Sequence, residues 1–303
     1  MSYFVGIDGG GTQTVAVLTD AAGMPLAQAE GPSGRINVLE PAAGAALLAE
    51  LTQEVARRAG LTRQLSSLCC ALSGAGRPAE REALELALLQ TGVAQTVVIV
   101  PDAEAALQDA FGAGPGLLLI SGTGSIAWGR AESGELARCG GWGYLLGDEG
   151  SGYAIGLAAL RAALRAHDGR AGDTQLLPLV LQHMEIEQPE ALIRRAAEAS
   201  RADIAALAPV VIGAAATDPM AAGIVENATR ELAQHVAALH ARLGPWTATV
   251  PIAFSGGLIA PGRPLRTLLE SALTDWTLDI ALLDRAVNAA LGAATLARFA
   301  VAQ

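Results

Sequence analysis

The chain contains no lysine; all 20 of its basic residues are arginine. That excludes Schiff-base chemistry, a lysine general base and a P-loop lysine. Cysteine is scarce too, with Cys69, Cys70 and Cys139 alone. An odd number without CxxC spacing argues against a disulfide framework or a zinc site. The adjacent pair, in the apolar run LCCAL, reads as small buried hydrophobes. The histidines, His167, His183, His235 and His240, lack HExxH spacing and read as structural or exposed. Acidic residues outnumber basic ones for a formal charge of −10, which disfavours nucleic acid or an anionic membrane as partner. The N-terminus has no basic n-region, and its apolar run is too short for a signal peptide. The apolar stretch IAALAPVVIGAAA (204–216) includes Pro209 and falls well short of the ~20 residues of a membrane span. A soluble cytoplasmic protein is expected.

What the chain has instead is apolar bulk. Hydrophobic residues make up 51% and charged ones 17%, enough for sizeable cores and too apolar for disorder. At 303 residues two domains are expected. The first half alternates strand-like and helix-like segments: strands at 4–8, 15–20, 25–30, 67–74 and 96–100, helices at 41–60, 79–90 and 102–111. Unbroken Val, Ile and Leu runs between helices indicate an α/β fold with sheets covered on both faces. Turn residues cluster at 112–116, so a first domain over 1–113 and a larger second one over 114–283 are expected. GLLLISGTGSIAWGR (116–130) then repeats the N-terminal pattern of apolar strand, glycine turn with hydroxyls, and apolar strand. A helical region follows over roughly 150–243, then the strand and glycines of PIAFSGGLIAPG (251–262). The last segment, 282–300, reads as a helix.

Three glycine turns stand out, and the first is FVGIDGGGTQT (4–14). Gly6 and Gly11 have P-loop spacing, but Thr12 stands where the lysine is required. No GxGxxG opens a helix either, because VAVLTD continues as a strand. What remains is a strand–turn–strand hairpin with bare N–H groups, which can be a plain hairpin or a phosphate cradle. A carboxylate beside phosphates needs a cation between them. Asp8 therefore suggests Mg²⁺ held through water, or else a turn residue bonding its own backbone.

FVGIDGGGTQT, LLLISGTGSIAWG and AFSGGLIAPG, in that order and spacing, resemble the two phosphate motifs and the adenosine motif of the actin/hexokinase/Hsp70 ATPase superfamily. Within it, CGGWGYLLGDEGSGYAIG (139–156) is similar to the signature of N-acetylglucosamine kinases in the BadF/BadG/BcrA/BcrD group. The resemblance implies two actin-like (ribonuclease H-like) domains flanking an ATP/sugar cleft, with the C-terminal helix, 284–303, packing back on the first domain. It implies an ATP- and Mg²⁺-dependent kinase that phosphorylates the 6-hydroxyl of N-acetylglucosamine or glucosamine, working as a homodimer. Asp8, Gly10, Gly11, Thr12, Thr14, Gly122, Thr123, Gly256 and Gly257 would then hold ATP and its phosphates. Asn37, Ser73, Gly74, Asp102, Thr123, Gly124, Gly141 and Asp148 would hold the sugar.

Several of these positions keep a second reading. Asp102, following TVVIV in a D-A-x-x-A context, is the expected catalytic base, and as a helix N-cap it would be equally at home. Asn37 and Glu40 have capping-box spacing. Ser73 and Gly74 either line the cleft or form a simple turn. Trp142 suits a flat contact on the sugar or a packed corner. Glu149 supports the N-terminus of the following helix. Gln13 stands where relatives often carry a basic residue, and Asn288 has no evident role. A related group, ATPase activators of radical acyl-CoA dehydratases, would need a cysteine pair for an iron–sulfur cluster, which the cysteine positions do not favour. A sugar-sensing repressor would need a DNA-binding head, whereas this sequence opens directly on its first strand.

Overall fold

A computed structural model describes residues 2–10, 14–31, 40–75 and 77–301. The chain divides into two compact units, Met1–Gly114 with Val287–Gln303, and Pro115–Ala286. In the first unit the elements run β1 (Phe4–Gly9), β2 (Thr14–Thr19), β3 (Pro25–Gly31), α1 (Pro41–Arg58), β4 (Leu65–Leu72), α2 (Pro78–Gln90), β5 (Ala94–Pro101) and α3 (Asp102–Phe111). The sheet order is β3-β2-β1-β4-β5. β1 is antiparallel to β2 and parallel to β4, so the hairpin signalled by the glycines and the crossovers signalled by the helices share one mixed sheet.

Each face of that sheet is covered. Val5, Ile7, Leu68 and Leu72 pack with Leu48, Val55, Leu84 and Leu88 of α1 and α2. Phe4, Cys69 and Ala71 pack on the other side with Ala105 of α3 and with Ala293 and Ala297 of the final helix, Ala289–Ala300. This second face is built from small residues because backbone meets backbone there. A Cβ on Gly6 would sit inside Ala290 and Ala294, and one on Gly292 would sit inside Ala105.

The second unit contains β6 (Gly116–Ser121), β7 (Ser125–Arg130), β8 (Leu136–Gly140), α4 (Gly152–His167), α5 (Leu176–His183), α6 (Ala191–Glu198), α7 (Arg201–Ala205), α8 (Ala208–Ala214), α9 (Pro219–Leu243), β9 (Val250–Ser255), α10 (Arg266–Thr274) and β10 (Ile280–Leu282). The final helix is thus α11. The sheet order is β10-β9-β6-β7-β8, with β6 antiparallel to β7 and parallel to β9. Taken from its other edge, this is the order of the first sheet, so the repeated sequence pattern is a repeated topology. Leu117, Leu119, Ile252 and Phe254 form a core with Leu232, Val236 and Leu239 of α9. Asp218 caps α9 by accepting from the N–H of Met220 and Ala221. Its other oxygen takes the Thr174 hydroxyl and the Gln175 N–H, both at 2.6 Å. Although burial opposes ionisation, these bonds together hold the Asp218 carboxyl below the usual carboxylate range.

Three local expectations are corrected. The last segment is not helical from 282: β10 ends at Leu282 and α11 starts at Ala289. Asn288 is the reason, since its side chain caps α11 by accepting from Leu291 N–H at 3.0 Å while its own N–H donates to Asp109. The residue without an evident role therefore sets the helix start. At α1 the N-cap position falls to Glu40, with Pro41 following, and not to a residue three positions earlier. β8, which the sequence pattern did not reveal, adds an edge strand ahead of the GGWG stretch.

Candidate active site

In the first unit, the glycine turn, the end of β4 and the end of β5 carry the expected residues. Gly11, Thr12, Gln13 and Asn37 lie outside the described residues. Asp8 stands near the end of β1, and Thr14, the first residue of β2, is buried. Burial pushes the Asp8 carboxyl up to about 6, and the charge of Asp102 adds to the rise. The two carboxylates therefore feel each other. Ser73 follows β4, and its N–H donates to Gly9 O at 3.1 Å, tying the two strand ends together. Gly74 has φ 89° and open space where a Cβ would stand.

Asp102 differs from the capping alternative. It is the first residue of α3, and the N-cap position belongs to Pro101, which offers no side-chain cap. The Asp102 carboxylate accepts the N–H of Ala103 at 2.8 Å. Burial raises its carboxyl, against the downward pull of that bond. A half-buried carboxylate with a raised pKa is suited to proton transfer.

The second unit gathers three stretches that are distant in sequence. The β6–β7 turn closes through Gly122 N–H to Gly124 O, and α4 is set against it by Gly152 N–H to Gly122 O at 2.7 Å. The Ser121 hydroxyl donates to Gly150 O and the Ser125 hydroxyl to Glu149 O, fastening the turn to the GDEGS stretch. Asp148 is buried at φ 59°, with its carboxylate 3.0 Å from where a Cβ on Gly124 would stand. Thr123, Gly124 and Asp148 are thus brought together. Gly256, at φ 94°, lies so close to Ser121 that a Cβ would enter its backbone, and Leu258 N–H donates to Ser121 O. The second and third glycine turns therefore adjoin, Gly122 and Gly257 included.

Gly141 has φ 68° and packs against Ile126. Trp142 is exposed, with the Arg138 guanidinium 4.3 Å over its ring. Glu149 does not cap α4; Ser151 does, accepting from Ala154 N–H. The Glu149 carboxylate lies instead 3.8 Å from Nε2 of His235. His235 is buried, hydrogen-bonded through Nδ1 to Glu231 O, and fills the space beside Gly140. Sequence reasoning missed Arg138 and His235, since both lie on regular elements and neither belongs to a motif.

Among the described residues no three carboxylate, histidine or cysteine side chains converge as a metal cage. Mg²⁺ needs none, because it keeps several waters and uses one or two carboxylates plus phosphate oxygens. Asp8 and Asp102, both half-buried and with the charge of Asp102 resisting ionisation of Asp8, fit a cation. Cys69 and Cys70 are buried within β4, where burial raises both thiols, and Cys139 lies on β8 of the second unit.

The model of the BadF/BadG/BcrA/BcrD ATPase family matches residues 5–297. An N-acetylmuramic acid/N-acetylglucosamine kinase of Clostridium acetobutylicum is 34% identical over 264 residues, 86% of each chain. An N-acetyl-D-glucosamine kinase of Dictyostelium discoideum is 29% identical over 97% of each. Among solved structures, one from Chromobacterium violaceum described as an N-acetylglucosamine kinase superposes with a TM-score of 0.78 at 28% identity, covering 98% of this chain and 99% of that one.

Proposed function

Because the chain belongs to the BadF/BadG/BcrA/BcrD ATPase family, we propose that it is an ATP-dependent hexosamine kinase. N-acetylglucosamine is the first substrate and glucosamine the second; the products are the 6-phosphate and ADP. The observation that carries the reading is Asp102, a half-buried carboxylate at a strand end whose pKa burial raises. An alcohol attacking a phosphoryl group must lose a proton, and a carboxylate with a raised pKa can accept it. The relatives named above, all described as amino-sugar kinases, support the substrate class.

The roles are those the resemblance implies, residue by residue. Asp102 accepts the 6-hydroxyl proton, with Asn37, Ser73 and Gly74 contributing to the sugar site. The N–H groups and hydroxyls of Gly10, Gly11, Thr12 and Thr14, and of Gly122 and Thr123, hold phosphate oxygens. Gly256 and Gly257 let the adenosine approach the backbone. Thr123, Gly124, Gly141 and Asp148 bind sugar hydroxyls and the 2-substituent. Asp8 holds Mg²⁺ through water. That ion, once bound, supplies the charge that offsets the phosphates. We place the enzyme in the cytoplasm, as a homodimer. Light scattering at micromolar concentration checks the dimer.

The deciding experiment is a coupled ADP-release assay over a panel of amino sugars and glucose. Turnover with N-acetylglucosamine or glucosamine is expected. ATP hydrolysis indifferent to every sugar would remove the kinase reading.

A further inference from the structure

We infer that Gly292 is a positioning residue for the reaction: its bare Cα lets α11 lie in the angle between β1 and α3, and so sets where Asp102 stands relative to Asp8. The inference rests on the hexosamine kinase reading, in which Asp102 is the base. Side chains alternate between the two faces of a strand. In β1, Phe4 packs with Ala105 of α3 and Ala293 of α11, whereas Val5 and Ile7 pack on the opposite face with α1 and α2. Gly6 and Asp8 therefore share the face of Phe4. A Cβ on Gly6 would enter the backbone of Ala290 and Ala294. α11 thus rests on β1 backbone to backbone, two residues from Asp8.

α11 meets α3 in the same way. Asp102, Ala105 and Asp109 fall at i, i+3 and i+7, along one face of α3. The Cβ that Gly292 lacks would enter the carbonyl of Ala105 and lie 3.0 Å from the backbone nitrogen of Asp109. One turn earlier on α11, the N–H of Asn288 donates to the Asp109 carboxylate at 3.0 Å. As α11 advances from Asn288 to Gly292, α3 runs back from Asp109 to Ala105, and its next turn back holds Asp102. At a rise of 1.5 Å per residue, Asp102 is about 4.5 Å along the axis from the Gly292 contact. Backbone meets backbone there, with no side chain to bend, so a displacement at Gly292 carries α3 with it. One helix therefore bears on both elements that carry the carboxylates of the site, close to each carboxylate. The charge of Asp102 is felt at Asp8, in keeping with that closeness. Their spacing matters because a base misplaced by about 1 Å can cost about 10²-fold in rate.

The test is steady-state kinetics with N-acetylglucosamine at saturating ATP, with melting temperatures alongside. The proteins are wild type, Gly292→Ala, Asp102→Asn, the double variant, and Val55→Ala, which loosens α1 on the opposite face of the sheet. For Gly292→Ala, kcat should fall about 30- to 100-fold while sugar KM changes by less than about threefold. Val55→Ala should lose stability and keep kcat within about threefold. Because the loss passes through the Asp102 carboxylate, adding Gly292→Ala to Asp102→Asn should lower kcat by less than about threefold more. A full further loss in the double variant overturns the role of Gly292 and leaves the kinase reading standing. So does a folded Gly292→Ala with kcat within about threefold of wild type, or an equal fall in Val55→Ala. Should Gly292→Ala not fold, Asp109→Ala and Asp109→Asn decide. Alanine removes the acceptor for Asn288 N–H and should lower kcat at least about fivefold; asparagine keeps an acceptor and should restore kcat to within about twofold of wild type. Equal kcat in those two variants overturns the inference. A wild type that phosphorylates no amino sugar overturns the kinase reading, and this inference with it.

Discussion

β1 and β6 hold the same position in sheets of the same order, yet one reaches its glycine turn through Asp8 and the other through Ser121. Ser121 is fully buried and spends its hydroxyl on Gly150 O, welding its turn to the GDEGS stretch. Asp8 is held where burial and Asp102 both resist its ionisation. A hydroxyl at that strand end makes a rigid, neutral cradle of N–H donors. A carboxylate makes an electrostatically tense one that favours a cation. The repeat thus supplies one frame twice, and a single side chain per turn divides the work: charge chemistry in the first unit, shape and hydrogen bonding in the second.

The strongest way to break this division is to exchange the effects of Asp102 and Asp148. Asp102→Asn should lower kcat by about 10²–10⁴-fold, the usual cost of losing a general base. Its melting temperature should stay near wild type, because the asparagine amide oxygen can still accept the N–H of Ala103. Asp148→Asn, in the second unit, should act mainly on sugar KM. A Asp148→Asn variant with lost kcat and normal KM, beside an Asp102→Asn variant that turns over normally, would reverse the assignment.

A second contrast lies in how each sheet meets its covering helix. Gly6→Ala forces a methyl into the backbone of α11, which cannot give way, and should destabilise by about 3 kcal/mol or more. Gly129→Ala meets only the ends of Leu117, Leu239 and Leu243, which can shift, and should cost about 1–2 kcal/mol. Denaturant melts of both variants compare them directly. Equal costs would mean that the two faces are alike.

Among substrates, kcat/KM for N-acetylglucosamine should exceed that for glucose by at least about tenfold, since a site built for an acetamide leaves polar groups unmatched by glucose. Equal efficiencies would reject the amino-sugar assignment and spare the kinase one.

The smallest effect separates the units by pH. Asp218→Ala should cost about 1–2 kcal/mol at pH 7 through lost capping. The carboxyl of Asp218 sits below its ordinary 3.8 when folded, so its ionic contribution is complete above that value and fades as pH falls through the lower folded one. The melting-temperature gap between wild type and variant should therefore narrow as pH falls below 3.8. A gap that widens on acidification would contradict the sign.

Most of the fold was legible because apolar runs and glycine turns are written in residue type. The hairpins of β1–β2 and β6–β7 and the buried strands β4, β5 and β9 carry their signal in the sequence itself. Caps were less legible. Asp102 reads as a candidate cap and Asn288 as having no role, yet Asn288 caps its helix while Pro101 holds the N-cap position beside Asp102, and Ser151 caps the helix that Glu149 is expected to support. Capping depends on which residue adopts the flanking φ and ψ, and composition does not fix that. Arg138 and His235 were illegible for another reason. Each acts on a glycine brought to it by folding, Arg138 across a strand end and His235 from 95 positions along the chain.

The splitting of the first unit's sequence also has a consequence for how the chain is made. α11 supplies part of the small-residue face over β1 and α3, so that unit cannot complete its core until residues 289–300 exist. Residues 115–286, by contrast, form a continuous unit whose strands and helices are all present before α11 is synthesised. At the usual pace of translation, the ribosome spends on the order of 10 to 30 seconds on that stretch. During that interval the residues translated first present Gly6 and Cys69 without their covering helix. The order of maturation should therefore run against the order of synthesis: the second unit closes first, and the first waits for its last helix.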